Sequence, residues 1–132
     1  MGYKHSELTE AIISAFYFVY NTLGYGFLEK VYRNALIHEL RKRGYEVKCN
    51  VAINVLYDGV IVGEYYADVI VNDMIILELK AVEAIAPEHE AQLINYLKAT
   101  GLEIGLILNF GPKPQVRRKI YETARNKSKK SA

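Results

Sequence analysis

The run MIILEL at 74–79 limits the folds open to this chain more than any other segment. Five of its six residues are apolar and it follows the turn pair Asn72-Asp73, so it reads as a strand too apolar to show water on either face. Such a strand needs layers above and below it, which points to helices on both faces of a sheet. Its end breaks the pattern. Glu78 and Lys80 point to one side, about 6.6 Å apart by the ordinary strand rise. Burying either charge costs several kcal/mol unless it is partnered.

The neighbouring segments supply those layers. Leu8, Ile12, Ala15, Phe16, Val19 and Leu23 recur at helical spacing, with Ser6 as the expected cap. Gly24-Tyr25-Gly26 breaks that helix, and a second carries Leu28, Val31, Ala35, Leu36 and Leu40 on one stripe until Gly44. From Val47 the period changes to two, placing Val47, Cys49, Val51, Ile53, Val55 and Tyr57 on one side of a strand. Asp58-Gly59 is a hairpin signal, and a second strand follows over 60–71. Pro87, with Glu88 and Glu90 behind it, opens a helix that Gly101 ends; EIGLILNF at 103–110 then reads as a last core strand. A short helix is expected over 115–125. Three strands joined by tight turns form an antiparallel meander, and the strand reached through a helix joins as a parallel neighbour. The expected fold is α/β: a mixed sheet flanked by helices on both faces, with an extra helix at each terminus.

The 132 residues suit one domain, assigned to 1–112, with 113–132 as a basic C-terminal helix and tail. From Lys113 onward eight Lys or Arg stand against one Glu, whereas the first 112 residues hold nine basic and fourteen acidic side chains. That tail suits either a polyanion or plain solvation. The single cysteine, Cys49, excludes an internal disulfide and suits a reducing compartment. The first ten residues carry no apolar leader run, and no segment has the roughly 20 apolar residues of a membrane span. A soluble cytoplasmic protein with no membrane partner is expected.

Asp68 shares a face of the second strand with Tyr66 and Ile70. A turn at Asn72-Asp73 puts it opposite Glu78. Like charges directly opposite destabilise a sheet, so two carboxylates there need a cation between them. Mg²⁺, held by one or two carboxylates plus water and phosphate oxygens, is the natural occupant. Lys80, one step farther on the same face, would steer an attacking water or offset charge on a five-coordinate phosphorus. The bland alternative is a Glu78–Lys80 ion pair at a strand end. Glu29 stands one turn before Tyr32, as a site acid or as a solvated helix-start residue. His89, Gln92 and Tyr96 share a face of the third helix, as site groups or as boundary residues, and His89 reads as a surface residue. Zinc-protease, dinucleotide, P-loop and G-x-S-x-G patterns are missing. Cys49 reads as packing rather than as a nucleophile.

The stretch GFLEKVY at 26–32 has the G-x-x-E-x-x-Y spacing of the GxxExxY proteins, and GEYYAD, ILELKA, AQLINYL and GLILNFG resemble that family too. The resemblance covers nearly everything from Gly24 to Gly111. It implies a PD-(D/E)XK nuclease-like chain with a restriction-endonuclease-like αβββαβ core. It also implies roles: Asp68 and Glu78 as motif acids, Lys80 as the motif lysine, and Glu29 as the helix acid that completes the metal site. Gln92 and Tyr96 resemble a Q-x-x-x-Y element that orients the site and DNA. Ala67 stands where the pattern has proline.

Together these imply a Mg²⁺- or Mn²⁺-dependent nuclease acting on nucleic acid, DNA first. Asp68, Glu78, the Leu79 carbonyl and Glu29 are the expected metal ligands; Asp68, Glu78, Lys80, Glu29 and Gln92 form the expected catalytic set. Tyr25, Tyr32 and Tyr96 are expected to stack on bases. The rival is a catalytically silent nucleic-acid-binding or regulatory module of the same fold, whose mark would be a missing acid or lysine. None is missing. A sheet edge and eleven tyrosines also suit a homodimer.

Overall fold

A computed structural model describes residues 5–122. Helices α1 (Ser6–Leu23) and α2 (Glu29–Lys42) precede strands β1 (Val47–Tyr57), β2 (Val60–Val71) and β3 (Ile75–Lys80); α3 (Pro87–Thr100), β4 (Ile104–Asn109) and β5 (Gln115–Ile120) follow. The strands form one sheet in chain order, with β3 and β4 parallel and the other neighbours antiparallel. On one face Ile12 and Phe16 of α1 and Leu36 and Leu40 of α2 join a core with Val69, Leu77 and Leu106. On the other, Leu93 and Leu97 of α3 join Ile70, Ile76 and Ile107. The apolar runs of β3 and β4 are dry on both sides because helices cover both sides.

The turns sit where the dipeptides place them. Asp58-Gly59 makes a two-residue turn between Tyr57 and Val60, and Asn72-Asp73-Met74 a three-residue one between Val71 and Ile75; Asp58, Gly59, Asn72 and Asp73 have φ between 52° and 75°, the left-handed backbone that tight hairpin turns use. Pro87 opens α3, and the Ala86 N–H donates to His89 Nδ1 at 3.0 Å. His89 therefore closes the start of its own helix. Ser6 does not cap α1: the residue before the helix is His5, and no side chain bonds the free amides there.

Two expectations fail. The segment 115–120 is a strand, not a helix; it pairs antiparallel with β4 from Asn109↔Gln115 to Ile104↔Ile120. Without it β4 would leave a row of backbone donors and acceptors unpaired at a buried edge. That demand overrides the weak helical spacing of Val116 and Ile120. The sheet thus continues past residue 112 and no domain boundary falls there, while residues 123–125 of the expected helix lie outside the described residues. The second failure is in β1, whose odd-numbered residues do not keep one side. Val47 belongs to the α1/α2 core, but Val51 and Ile53 pack on the α3 side. In β2, Val69 and Ala67 divide the same way. The change falls at Asn50 and Asp68, the one pair missing from the straight part of the β1–β2 register, where Asn50 has φ 51°. The hairpin inverts its faces at the residue that carries the first candidate acid.

Candidate active site

The β2–β3 ladder runs from Val71↔Ile75 to Val69↔Leu77 and stops. The next pair in that register is Asp68 and Glu78. There the two side chains take over from the backbone: the Asp68 N–H donates to Glu78 Oε2 at 3.1 Å, and the Leu79 N–H donates to Asp68 Oδ2 at 2.9 Å. Each acid satisfies an amide of the other strand where the strands part. β3 stays with β4 through Glu78↔Ile107, Leu79↔Leu108 and Lys80↔Asn109, while β2 leaves with β1. The pair of acids thus stands at the fork of a splayed sheet, each spending one oxygen on backbone and keeping the second out of those bonds.

Burial makes the pair costly. Glu78 is 5% exposed, and its carboxyl is pushed up to about 8, first by burial and then by Asp68; the Asp68 amide and Lys80 pull the other way. Glu29, half-buried at the start of α2, is also raised, by burial and then by Asp68. Tyr96 is pushed up to about 12 by burial, then by Glu78 and Asp68. Asp68, Glu78, Lys80 and Glu29, drawn from three elements, therefore share one electrostatic neighbourhood. Among the described residues no Glu78–Lys80 ion pair forms, so the bland alternative for that tripeptide falls away. No group of three or more His, Cys, Asp or Glu side chains makes a ready cage for a metal among the described residues. Two carboxylates with a nearby carbonyl still suit Mg²⁺, which asks for few protein oxygens and keeps its waters. Burial and the Asp68 carboxylate both favour the protonated form of Glu78, and a cation between the two acids would oppose them.

The G-x-x-E-x-x-Y stretch acquires a physical reading. Gly26 has φ 120°, which a side chain would strain. Tyr32 is fully buried, its ring stacked on Phe110 at 4.6 Å. Its hydroxyl donates to the Gly24 carbonyl at 2.5 Å and accepts the Phe27 N–H at 3.1 Å. The tyrosine buckles the loop that delivers Glu29 to the first position of α2. It has no open ring face, so the expectation that Tyr32 stacks on a base is wrong. Tyr25, in the same loop, is 64% exposed and keeps that option.

Gln92 and Tyr96 line a groove of about 820 Å³ between α3 and the β1–β2 hairpin, with Asn54, Tyr65 and Asn95. Tyr96 is 6% exposed and packs against Tyr65 at 5.8 Å between ring centres, so only an edge of its ring is presented. The acids do not line this groove. Tyr96 stands between the two spaces, in the field of Glu78 and Asp68.

Sequence reasoning missed the clamp behind Lys80. Asn109, wholly buried, accepts the Val82 N–H at 2.9 Å, and its amide donates to the Val82 carbonyl at 2.9 Å and to Gln115 Oε1 at 3.1 Å. The Phe110 N–H donates to the Lys80 carbonyl at 2.7 Å. At Gly111 an added Cβ would collide with the Val82 carbonyl oxygen. The signal was an amide inside the apolar run GLILNF, the same anomaly that drew attention to Glu78.

Residues 6–119 match the family described as the PD-(D/E)XK nuclease superfamily. No curated protein matches the chain. Among solved structures, one titled "Crystal structure of SSO0001" is similar with a TM-score of 0.55 and 18% identity, over 73% of this chain and 51% of that one. The chain thus spans about half the length of that protein, and the likeness is one of fold. A family match over most of the chain, on a sheet that splays at two acids and a lysine, places this chain in the PD-(D/E)XK nuclease superfamily.

Proposed function

We propose that this chain is a divalent-metal-dependent nuclease of the GxxExxY group, hydrolysing phosphodiester bonds in DNA. The observation that carries the reading is the reciprocal pair at the fork. Asp68 and Glu78 each bind the other strand's amide and keep an oxygen for a cation, and burial beside Asp68 pushes the Glu78 carboxyl up to about 8. Asp68, Glu78 and the Leu79 carbonyl would hold Mg²⁺ or Mn²⁺, with Glu29 acting through water. When bound, such an ion polarises a phosphoryl oxygen and makes water a stronger acid. Lys80, free of Glu78, would donate to the attacking water or to a non-bridging phosphate oxygen and offset charge gathering on phosphorus. Water oxygen bonds to phosphorus as the ester bond breaks, and the departing oxygen takes up a proton. Gln92 would help orient the strand from α3, with Tyr25 and the edge of Tyr96 against bases. Cys49, expected to pack against the core, is instead exposed, and a free exposed thiol suits a reducing cytoplasm. Among the described residues no helix is long and apolar enough to cross a membrane.

Labelled single- and double-stranded oligonucleotides incubated with purified protein and Mg²⁺ or Mn²⁺ test the reading. Cleavage should appear with metal, stop with chelator, and vanish in Lys80→Ala while the melting temperature stays unchanged. An inert wild-type protein on DNA and RNA with both metals refutes it and leaves the silent-module reading.

A further inference from the structure

The β1–β2 hairpin extends far beyond the rest of the sheet. β2 has twelve residues, of which only Val69–Val71 pair with β3. Over 60–67 its other edge meets no strand among the described residues, and no backbone hydrogen bond to that edge is formed there. The same ribbon is apolar. Leu56, Tyr57, Val60, Ile61, Val62 and Tyr66 are 54 to 74% exposed. Counting about 200 Å² per large side chain, they offer on the order of 700 Å² of contact surface. These side chains are shared between the two faces of the ribbon, and together they approach the ~800 Å² each partner gives to a standard interface. Nature ordinarily blunts such an edge with Lys, Pro or an inward charge. From Val51 to Ala67 there is no Lys, Arg or Pro, and the charges are Asp58 and Glu64 alone. A surface without cations repels nucleic acid and anionic lipid. An apolar, extended partner fits it.

We propose that two copies of this chain pair through the free edge of β2, in an antiparallel two-fold ladder centred on Gly63. A strand edge is its own complement under a two-fold axis. The sequence selects the centre. Centred on Gly63, Val60 faces the partner's Tyr66, Ile61 the partner's Tyr65, and Val62 the partner's Glu64, so aromatic and β-branched side chains pair across the axis. Centred on Glu64, the ladder would set two carboxylates face to face. The chosen register also brings the partner's hairpin turn level with Asp68, so the second copy would wall one end of the acid cleft. The inference is independent of the nuclease reading.

Sedimentation equilibrium of the full chain should give the mass of two copies. Ile61→Lys and Val62→Lys, each with an unchanged circular-dichroism spectrum, should give one, and Phe18→Lys, on an exposed position of α1, should still give two. The register has its own readout. A Cβ at Gly63 meets only ordinary contacts, the nearest being the Tyr65 ring at 3.5 Å. Directly paired residues of antiparallel strands lie about 4.5–5.5 Å apart at Cα, within disulfide range. With Cys49→Ser removing the native thiol, Gly63→Cys should give a disulfide-linked dimer on mild oxidation, and Tyr57→Cys should not. A wild-type monomer at the highest soluble concentration overturns the proposal. So does a dimer that survives both lysine variants, or a Gly63→Cys protein that does not cross-link.

Discussion

Replacing Glu78 by Gln should stabilise the protein, and by an amount that grows with pH. The carboxyl has a folded value of about 8 against an ordinary 4.5. The folded state therefore holds a proton that the unfolded chain has released, and stability falls as pH rises from about 4.5 through 8. A tenfold difference in proton affinity is worth about 1.4 kcal/mol, so at pH 7 the wild type carries roughly 3 kcal/mol of penalty that the amide avoids. At pH 5 the difference shrinks below about 1 kcal/mol, because the unfolded carboxyl has only begun to gain from releasing its proton. Gln keeps the geometry, since its carbonyl can still accept the Asp68 N–H. Urea unfolding followed by circular dichroism, with chelator present, should give curves that diverge between pH 5 and pH 8. Titrating groups away from the fork are common to both proteins and cancel in the difference, and Tyr96, which feels Glu78, titrates far above this range. A gap that stays constant over that range would refute the claim that Glu78 is enclosed and proton-bound.

The remaining expectations concern the scaffold and the ion. Mg²⁺ titrated at pH 8 should raise the melting temperature of the wild type and leave Asp68→Asn unmoved, as binding to the folded state alone requires. Tyr32→Phe should leave the Gly24 carbonyl and Phe27 amide unpaired, cost about 1–3 kcal/mol in unfolding free energy, and lower cleavage by loosening Glu29; equal cleavage rates would count against the buckle. Asn109→Ala strips Val82 of both partners, at about 1–3 kcal/mol for each group left unpaired. Gly111→Ala, which drives a methyl into the Val82 carbonyl, should destabilise at least as much; thermal melts of both variants check this.

The sheet order and the site register were legible because local chemistry fixes them. Asn72-Asp73 marks the turn, and closing it with Met74 sets Asp68 opposite Glu78, where a two-residue turn would have set Ala67. The apolar content of MIILEL dictated cover on both faces. β5 was hidden because QVRRKI has no strong period; what makes it a strand is the unfilled edge of β4, which no local window contains. Tyr32 was misread for a related reason: an aromatic on a helix looks the same whether Phe110, distant in sequence, covers it or not. The inversion at Asn50 was illegible because alternation in β1 continues unbroken through it; only two opposed cores give it away. Asn109 was readable as an anomaly, but not as a partner of Val82.

The reversal of faces at Asn50 and Asp68 makes the long hairpin a lever with its fulcrum at the first acid. The lower arm is rooted in the α1/α2 core and the upper arm rests on α3. A second copy gripping the upper arm would bear on the residue whose carboxylate bridges to Leu79. Contact made many ångströms away would then be felt at the gap between Asp68 and Glu78.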